Sequence, residues 1–175
     1  MVGVVRDQPL LEPATAADFL ALYDRSLGEV YSYLFSRLRD RPLAEDLTQE
    51  VFLAGARRAA GGVPVELPWL IAVARNKVVD HWRQQGRRER KLSRVESLAE
   101  PEPPPDPIEE LEESRAADAL GGLNATYRLA LVLRHVDELP VPAVAEHLGR
   151  TVAATEQILT RAKAAFRQAY QGTDR

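Results

Sequence analysis

Three runs of polar residues in this chain have compositions suited to binding chemistry, and the first carries closely spaced carboxylates of the kind that bond-breaking chemistry would need. That run is Ala44-Glu-Asp-Leu-Thr-Gln-Glu-Val-Phe-Leu. Its Glu45, Asp46, Gln49 and Glu50 recur at helical spacings that place them on one polar face, opposite Leu47 and Val51. Paired carboxylates are the raw material of a metal or acid/base site. The three histidines, His81, His135 and His147, are scattered away from ligand spacing, however. A plain solvated helix face accounts for the same residues, because Asp and Glu usually stay exposed.

The second run follows Ala74: Arg-Asn-Lys-Val-Val-Asp-His-Trp-Arg-Gln-Gln-Gly-Arg-Arg-Glu-Arg-Lys. Arg75, Lys77, Arg83, Arg87, Arg88, Arg90, Lys91 and Arg94 are basic. Such groups displace counterions from phosphates and give salt-dependent affinity. Asn76, His81, Gln84 and Gln85 can hydrogen-bond exposed base edges, and aromatic rings can stack on unpaired bases. A soluble helix with a basic tail is the competing reading, with Trp69 and Trp82 simply core residues. The third run is Leu139-Pro-Val-Pro-Ala-Val-Ala-Glu-His-Leu-Gly-Arg-Thr-Val-Ala-Ala-Thr-Glu-Gln-Ile-Leu-Thr-Arg-Ala-Lys. It reads as a short helix with Val144, Ala145 and Leu148 inward, a turn at Gly149, and a longer helix with Ile158 and Leu159 inward. This helix-turn-helix pattern places its second helix, about Val152 to Tyr170, in a DNA major groove. Thr151, Ala154, Glu156, Gln157, Thr160 and Arg161 should then face the groove. Gln pairs with adenine, Glu accepts from the cytosine amino group, and Arg holds guanine or phosphate. A helical hairpin in a protein-binding domain would show a similar pattern.

The elements that must position these runs read as all-α, since no segment alternates like a strand. Thr15 and Asp18 resemble a capping box, followed by apolar residues at three- and four-residue spacing from Phe19 to Leu38. That pattern predicts one amphipathic helix, or a pair broken near Gly28. Pro42 opens the next helix, Gly61 to Leu67 form a loop, and Pro68 opens a long helix carrying Trp69, Leu70, Val73, Val78 and Trp82. A further helix begins near Ile108 to Leu111 and ends at Gly121-Gly122, and Asn124 caps the one after it. Between the two helical patterns, Glu100-Pro-Glu-Pro-Pro-Pro-Asp-Pro has five prolines in eight residues and should be an extended, solvated linker.

At 175 residues the chain fits one medium domain or two small helical ones. With no cysteine, disulfides, thiolate zinc sites and cysteine nucleophiles are excluded. No apolar run approaches a bilayer span and no signal-peptide pattern is present, so a cytoplasmic protein without membrane insertion is expected. The net charge of -3 conceals an asymmetry. Eight acidic and no basic residues lie between Val95 and Ser114; setting these aside leaves 23 Lys and Arg against 18 Asp and Glu.

Ala44-Glu-Asp-Leu-Thr-Gln-Glu-Val-Phe, Pro68-Trp-Leu-Ile-Ala-Val-Ala-Arg-Asn, Asp80-His-Trp-Arg, and Val144-Ala-Glu-His-Leu-Gly with Thr160-Arg-Ala-Lys occur in one order along the chain. Together they resemble a bacterial sigma factor of the extracytoplasmic-function group. The resemblance implies two small helical domains: region two at 16–91 and region four at 114–172, after an N-terminal tail at 1–15 and joined by a linker at 92–113. It implies a protein without enzymatic activity, cofactor or metal, which binds core RNA polymerase and directs it to a two-part promoter. Asp46, Gln49 and Glu50 would dock on the clamp helices of the largest polymerase subunit, and the flap would be a second contact. Asn76 and the loop Ala60–Leu67 would hold a flipped base of the minus-ten element, with Lys77, Arg83, Arg87 and Arg88 beside them on the DNA. Thr151, Glu156, Gln157, Thr160, Arg161 and Lys163 would read the minus-thirty-five element. In this group a dedicated anti-sigma factor often clamps the two domains, so the resemblance admits one as a further partner. Glu156 stands where the group often has a basic residue, and Thr155 where an apolar β-branched one is usual. The rival readings are a stand-alone helix-turn-helix regulator, which would dimerise on a symmetric site, and a hydrolase built on Glu45, Asp46 and Glu50.

Overall fold

The computed structural model describes residues 13–92 and 111–172, and the proline-rich core of the expected linker lies outside them. The described residues form helices without a strand. Contacts divide the chain into a unit ending at Val78 and a second beginning at Val79.

In the first unit, α1 (Pro13–Leu38) packs along α2 (Arg41–Ala60). Helix α1 begins at Pro13, whose fixed φ suits a first helical turn, so Thr15 lies inside the helix instead of capping it. It also runs unbroken through Gly28, as one helix and not a pair. Arg39 ends it in the left-handed region at φ 54, its N–H donating to the Phe35 carbonyl at 2.9 Å. Asp40 then caps α2 by accepting from the Leu43 N–H at 2.9 Å. Leu22, Val30 and Leu34 of α1, Val51 and Phe52 of α2, and Leu70 and Ala74 of α3 (Leu67–Leu92) are all buried. Tyr23 meets Phe52 edge to face, with centroids 4.7 Å apart. Gly55 permits the close approach: a Cβ there would sit 3.1 Å from the Phe19 ring and 3.2 Å from Leu70.

In the second unit, α7 (Val152–Gly172) is the element against which α4 (Leu111–Gly121), α5 (Ala125–Leu131) and α6 (Val141–Leu148) pack. Leu123, Ala130, Leu131, Leu159 and Ala162 form its core, with Leu148, Ile158 and Phe166 against them. Asn124 caps α5, accepting from the Tyr127 N–H at 2.9 Å. Helix α5 continues into one π-helical turn, Val132–Val136, which the apolar spacing alone did not suggest. Glu138, at φ 55, closes that turn as Leu139 N–H reaches the Leu133 carbonyl.

Candidate nucleic-acid interface

The polar face of α2 is presented to solvent. Glu45, Asp46, Gln49 and Glu50 are all exposed, while Ala44, Thr48, Val51 and Phe52 are buried on the opposite side. Thr48 is tolerated in the interior because its hydroxyl donates to the Ala44 carbonyl at 2.7 Å. The carboxylates do not converge. Glu45 pairs with Arg41 one turn earlier at 2.9 Å, and Glu50 reaches across to Lys77 of α3 at 2.5 Å. Among the described residues, no group of three His, Cys, Asp or Glu side chains could hold a metal ion.

The Glu50–Lys77 pair joins a residue expected to face polymerase with one expected to face DNA. Both are substantially exposed, so the pair is weak and exchangeable for an external partner. Beside it, Asn76 is exposed on α3. The α2–α3 loop is shaped by glycine and by Arg58. Gly62 takes φ 74, where a side chain would be strained. Gly61 and Val63 N–H groups donate to the Arg58 carbonyl at 3.1 and 3.2 Å. The Arg58 side chain donates from Nε to the Pro64 carbonyl at 3.2 Å and lies over the Trp69 ring, 5.0 Å from its centroid. Sequence reasoning passed over Arg58; the visible signal was a basic pair in the last turn of α2, directly before the loop. Trp69 is half-buried at the loop, whereas Trp82 is core at 2% exposure.

The remaining basic residues of α3 lie in the second unit. Arg87 and Arg88 are exposed and Arg83 half-buried. Arg83 and Arg87 line a cleft with Arg150, Thr126 and Leu148, so the unit gathers basic groups from α3 and from the turn before α7. Glu89 accepts from the Ala125 N–H at 3.3 Å, adding a carboxylate to the start of α5.

The helix-turn-helix is built by α6, Gly149 and α7. Gly149 takes φ 62, ψ 43, and Arg150 N–H donates back to the Ala145 carbonyl at 3.0 Å, which is the left-handed closure that ends α6. Thr151 caps α7, its hydroxyl accepting from the Ala154 N–H at 3.2 Å. Thr155 is fully buried, and its hydroxyl donates to the Thr151 carbonyl at 2.9 Å, so a polar residue substitutes for an apolar one without an unsatisfied group. Glu156, Gln157, Thr160, Arg161 and Lys163 are all exposed on α7. Thr160 commits its proton to the Glu156 carbonyl at 2.9 Å, and so offers outside partners its lone pairs and methyl group. On the π-helical turn, exposed His135 has a pKa lowered first by its partial burial, and then by the charges of Lys163 and Arg134.

The family models described as "Sigma-70 region 2" and "Sigma-70, region 4" match residues 22–88 and 114–166. The first match therefore continues along α3 past the contact boundary at Val78. The ECF RNA polymerase sigma factor BldN of Streptomyces coelicolor is 30% identical over 167 residues, covering 90% of this chain and 63% of BldN. The ECF RNA polymerase sigma factor SigK of Mycobacterium sp. strain KMS is 30% identical over 145 residues, covering 77% of this chain and 74% of SigK. The chain thus spans somewhat less than two thirds of BldN and about three quarters of SigK. The fold is similar to the sigma factor RpoE in its solved complex with the anti-sigma factor NepR from Bartonella quintana, with a TM-score of 0.53 and 22% identity over 90% of this chain and 99% of that one. Both regions, in this order and on these helices, place the chain in the extracytoplasmic-function group of RNA polymerase sigma factors.

Proposed function

We propose that this sigma factor divides its work among three surfaces. The exposed face of α2, with Asp46, Gln49 and Glu50, docks on the clamp helices of core polymerase, and the C-terminal domain makes a second contact at the flap. The α2–α3 loop, with Asn76, Lys77, Arg83, Arg87 and Arg88, engages the minus-ten element and holds an extruded base. Extrusion costs a few kcal/mol of stacking, so a shaped loop is needed as well as charge. The face of α7 bearing Thr151, Glu156, Gln157, Thr160, Arg161 and Lys163 reads the minus-thirty-five element as duplex. The functional domains on this reading run over 16–91 and 114–172, joined by the acidic linker 92–113. The protein works in the cytoplasm and carries out no catalysis of its own. An anti-sigma factor, as in the RpoE complex with NepR, is a fitting regulator.

The observation that carries this reading is the α6–Gly149–α7 turn, which leaves the start of α7 exposed in a chain whose other half carries an exposed acidic helix and a basic one. Two variants test the division. Asp46→Ala should weaken association with purified core polymerase by about tenfold, as for loss of a charge-assisted contact. Arg161→Ala should leave core association unchanged and impair initiation at promoters that depend on the upstream element. Loss of core binding in Arg161→Ala would show the division to be wrong.

A further inference from the structure

We infer that Arg58 is the positioning residue of the α2–α3 loop: it fixes the loop geometry that selects the extruded base, without itself touching DNA. This rests on the reading of that loop as the base-holding element. The loop Gly61–Glu66 contains two glycines and a proline, which on their own leave it conformationally undetermined. Arg58 gathers it from two directions. Its carbonyl receives the Gly61 and Val63 N–H groups, and its side chain spans the loop to the Pro64 carbonyl and onto the Trp69 ring. The loop is thereby tied at its beginning, its middle and the first turn of the helix that follows.

The guanidinium suits this role because it is planar, stacking on an indole while its Nε donates in the plane. Arg58 is itself exposed, so it adds little to the core of the unit. A phosphate contact would use the same charge but would give no reason for the bond to Pro64. Removing the side chain leaves the backbone ties at Gly61 and Val63 in place. It releases Pro64 and Trp69, so the effect should fall on base selection and not on folding.

The test uses polymerase holoenzyme carrying wild-type protein, Arg58→Ala or Arg58→Lys. Its probes are fluorescent single-stranded oligonucleotides from the minus-ten stretch of a promoter that the wild-type holoenzyme opens, each with one of the four bases at each position. The wild type should prefer one base at a single position. Arg58→Ala should reduce that preference by about tenfold, the combined worth of one exposed cation–π contact and one hydrogen bond. Its core affinity and salt slope should match the wild type, and its thermal unfolding midpoint should fall by no more than the several degrees those two contacts are worth. Arg58→Lys should restore part of the preference, because Lys can still donate to Pro64 but cannot stack as a plane, and it carries the same test should Arg58→Ala unfold. Uniform weakening for all four bases, with a salt slope reduced by about one, would overturn the inference by making Arg58 a phosphate contact. Unchanged preference would overturn it equally. A wild-type holoenzyme with no base preference anywhere in the stretch would instead remove the loop's own assignment.

Discussion

Glu50 and Lys77 show how single side chains in this protein serve more than one neighbour. Each was expected to face a different macromolecule, and the structure pairs them with each other across α2 and α3. An exposed pair of this kind contributes about 0–1 kcal/mol, so either partner can be drawn away at small cost. Sequence periodicity assigns Glu50 to a face but is silent on a contact 27 residues away. The same holds for Arg58, whose partners lie in the loop and on the next helix. His135 offers a prediction at this scale. Burial and the charges of Lys163 and Arg134 lower its pKa from the ordinary value of 6.5. The unfolded chain therefore binds more protons here than the folded one, and this contribution to stability is fully present above about pH 6.5. It is lost as the pH falls through the lower folded value. His135→Gln should flatten the fall in unfolding midpoint between pH 7.5 and pH 5.5 by a small amount, since the ring is largely exposed. An identical pH dependence in the variant would contradict that origin.

The helix-turn-helix was the most legible element, because its punctuation is local. Gly149 and the apolar spacing of Val144, Ala145 and Leu148 all lie within a few residues of one another. The Asn124 cap was legible for the same reason. The start of α1, its continuity through Gly28 and the π-helical turn at Val132–Val136 depend on packing and hydrogen bonding that spacing does not encode. Thr155 read as a departure from an apolar position, and its buried hydroxyl is satisfied one turn back. Two substitutions separate these cases. Gly149→Ala should cost about 1–2 kcal/mol, because φ 62 is strained for any side chain. Thr155→Val should change stability by less than about 1 kcal/mol, since the Thr151 carbonyl still receives the Thr155 N–H at 2.9 Å. Chemical denaturation of both variants checks the pair, and a costly Thr155→Val would show that the hydroxyl does more than satisfy itself.

Across the whole molecule, charge separation matters more than total charge. Glu45, Asp46 and Glu50 share the exposed middle of α2 and eight more acidic residues lie between Val95 and Ser114, while α3 and the turn before α7 carry basic ones. A stand-alone regulator needs only the last of these surfaces. On the proposed division, a polymerase subunit would use the acidic face of α2 for protein and the basic surfaces for DNA, with phosphate contacts that weaken as salt rises. The most direct measurement is in-vitro transcription with purified core polymerase across a genomic fragment library, with and without this protein. The protein should produce new start sites preceded by two short sequence elements at constant spacing, and should associate with core in the absence of DNA. No new start sites and no association with core, with the free protein instead selecting a symmetric duplex site, would contradict the account.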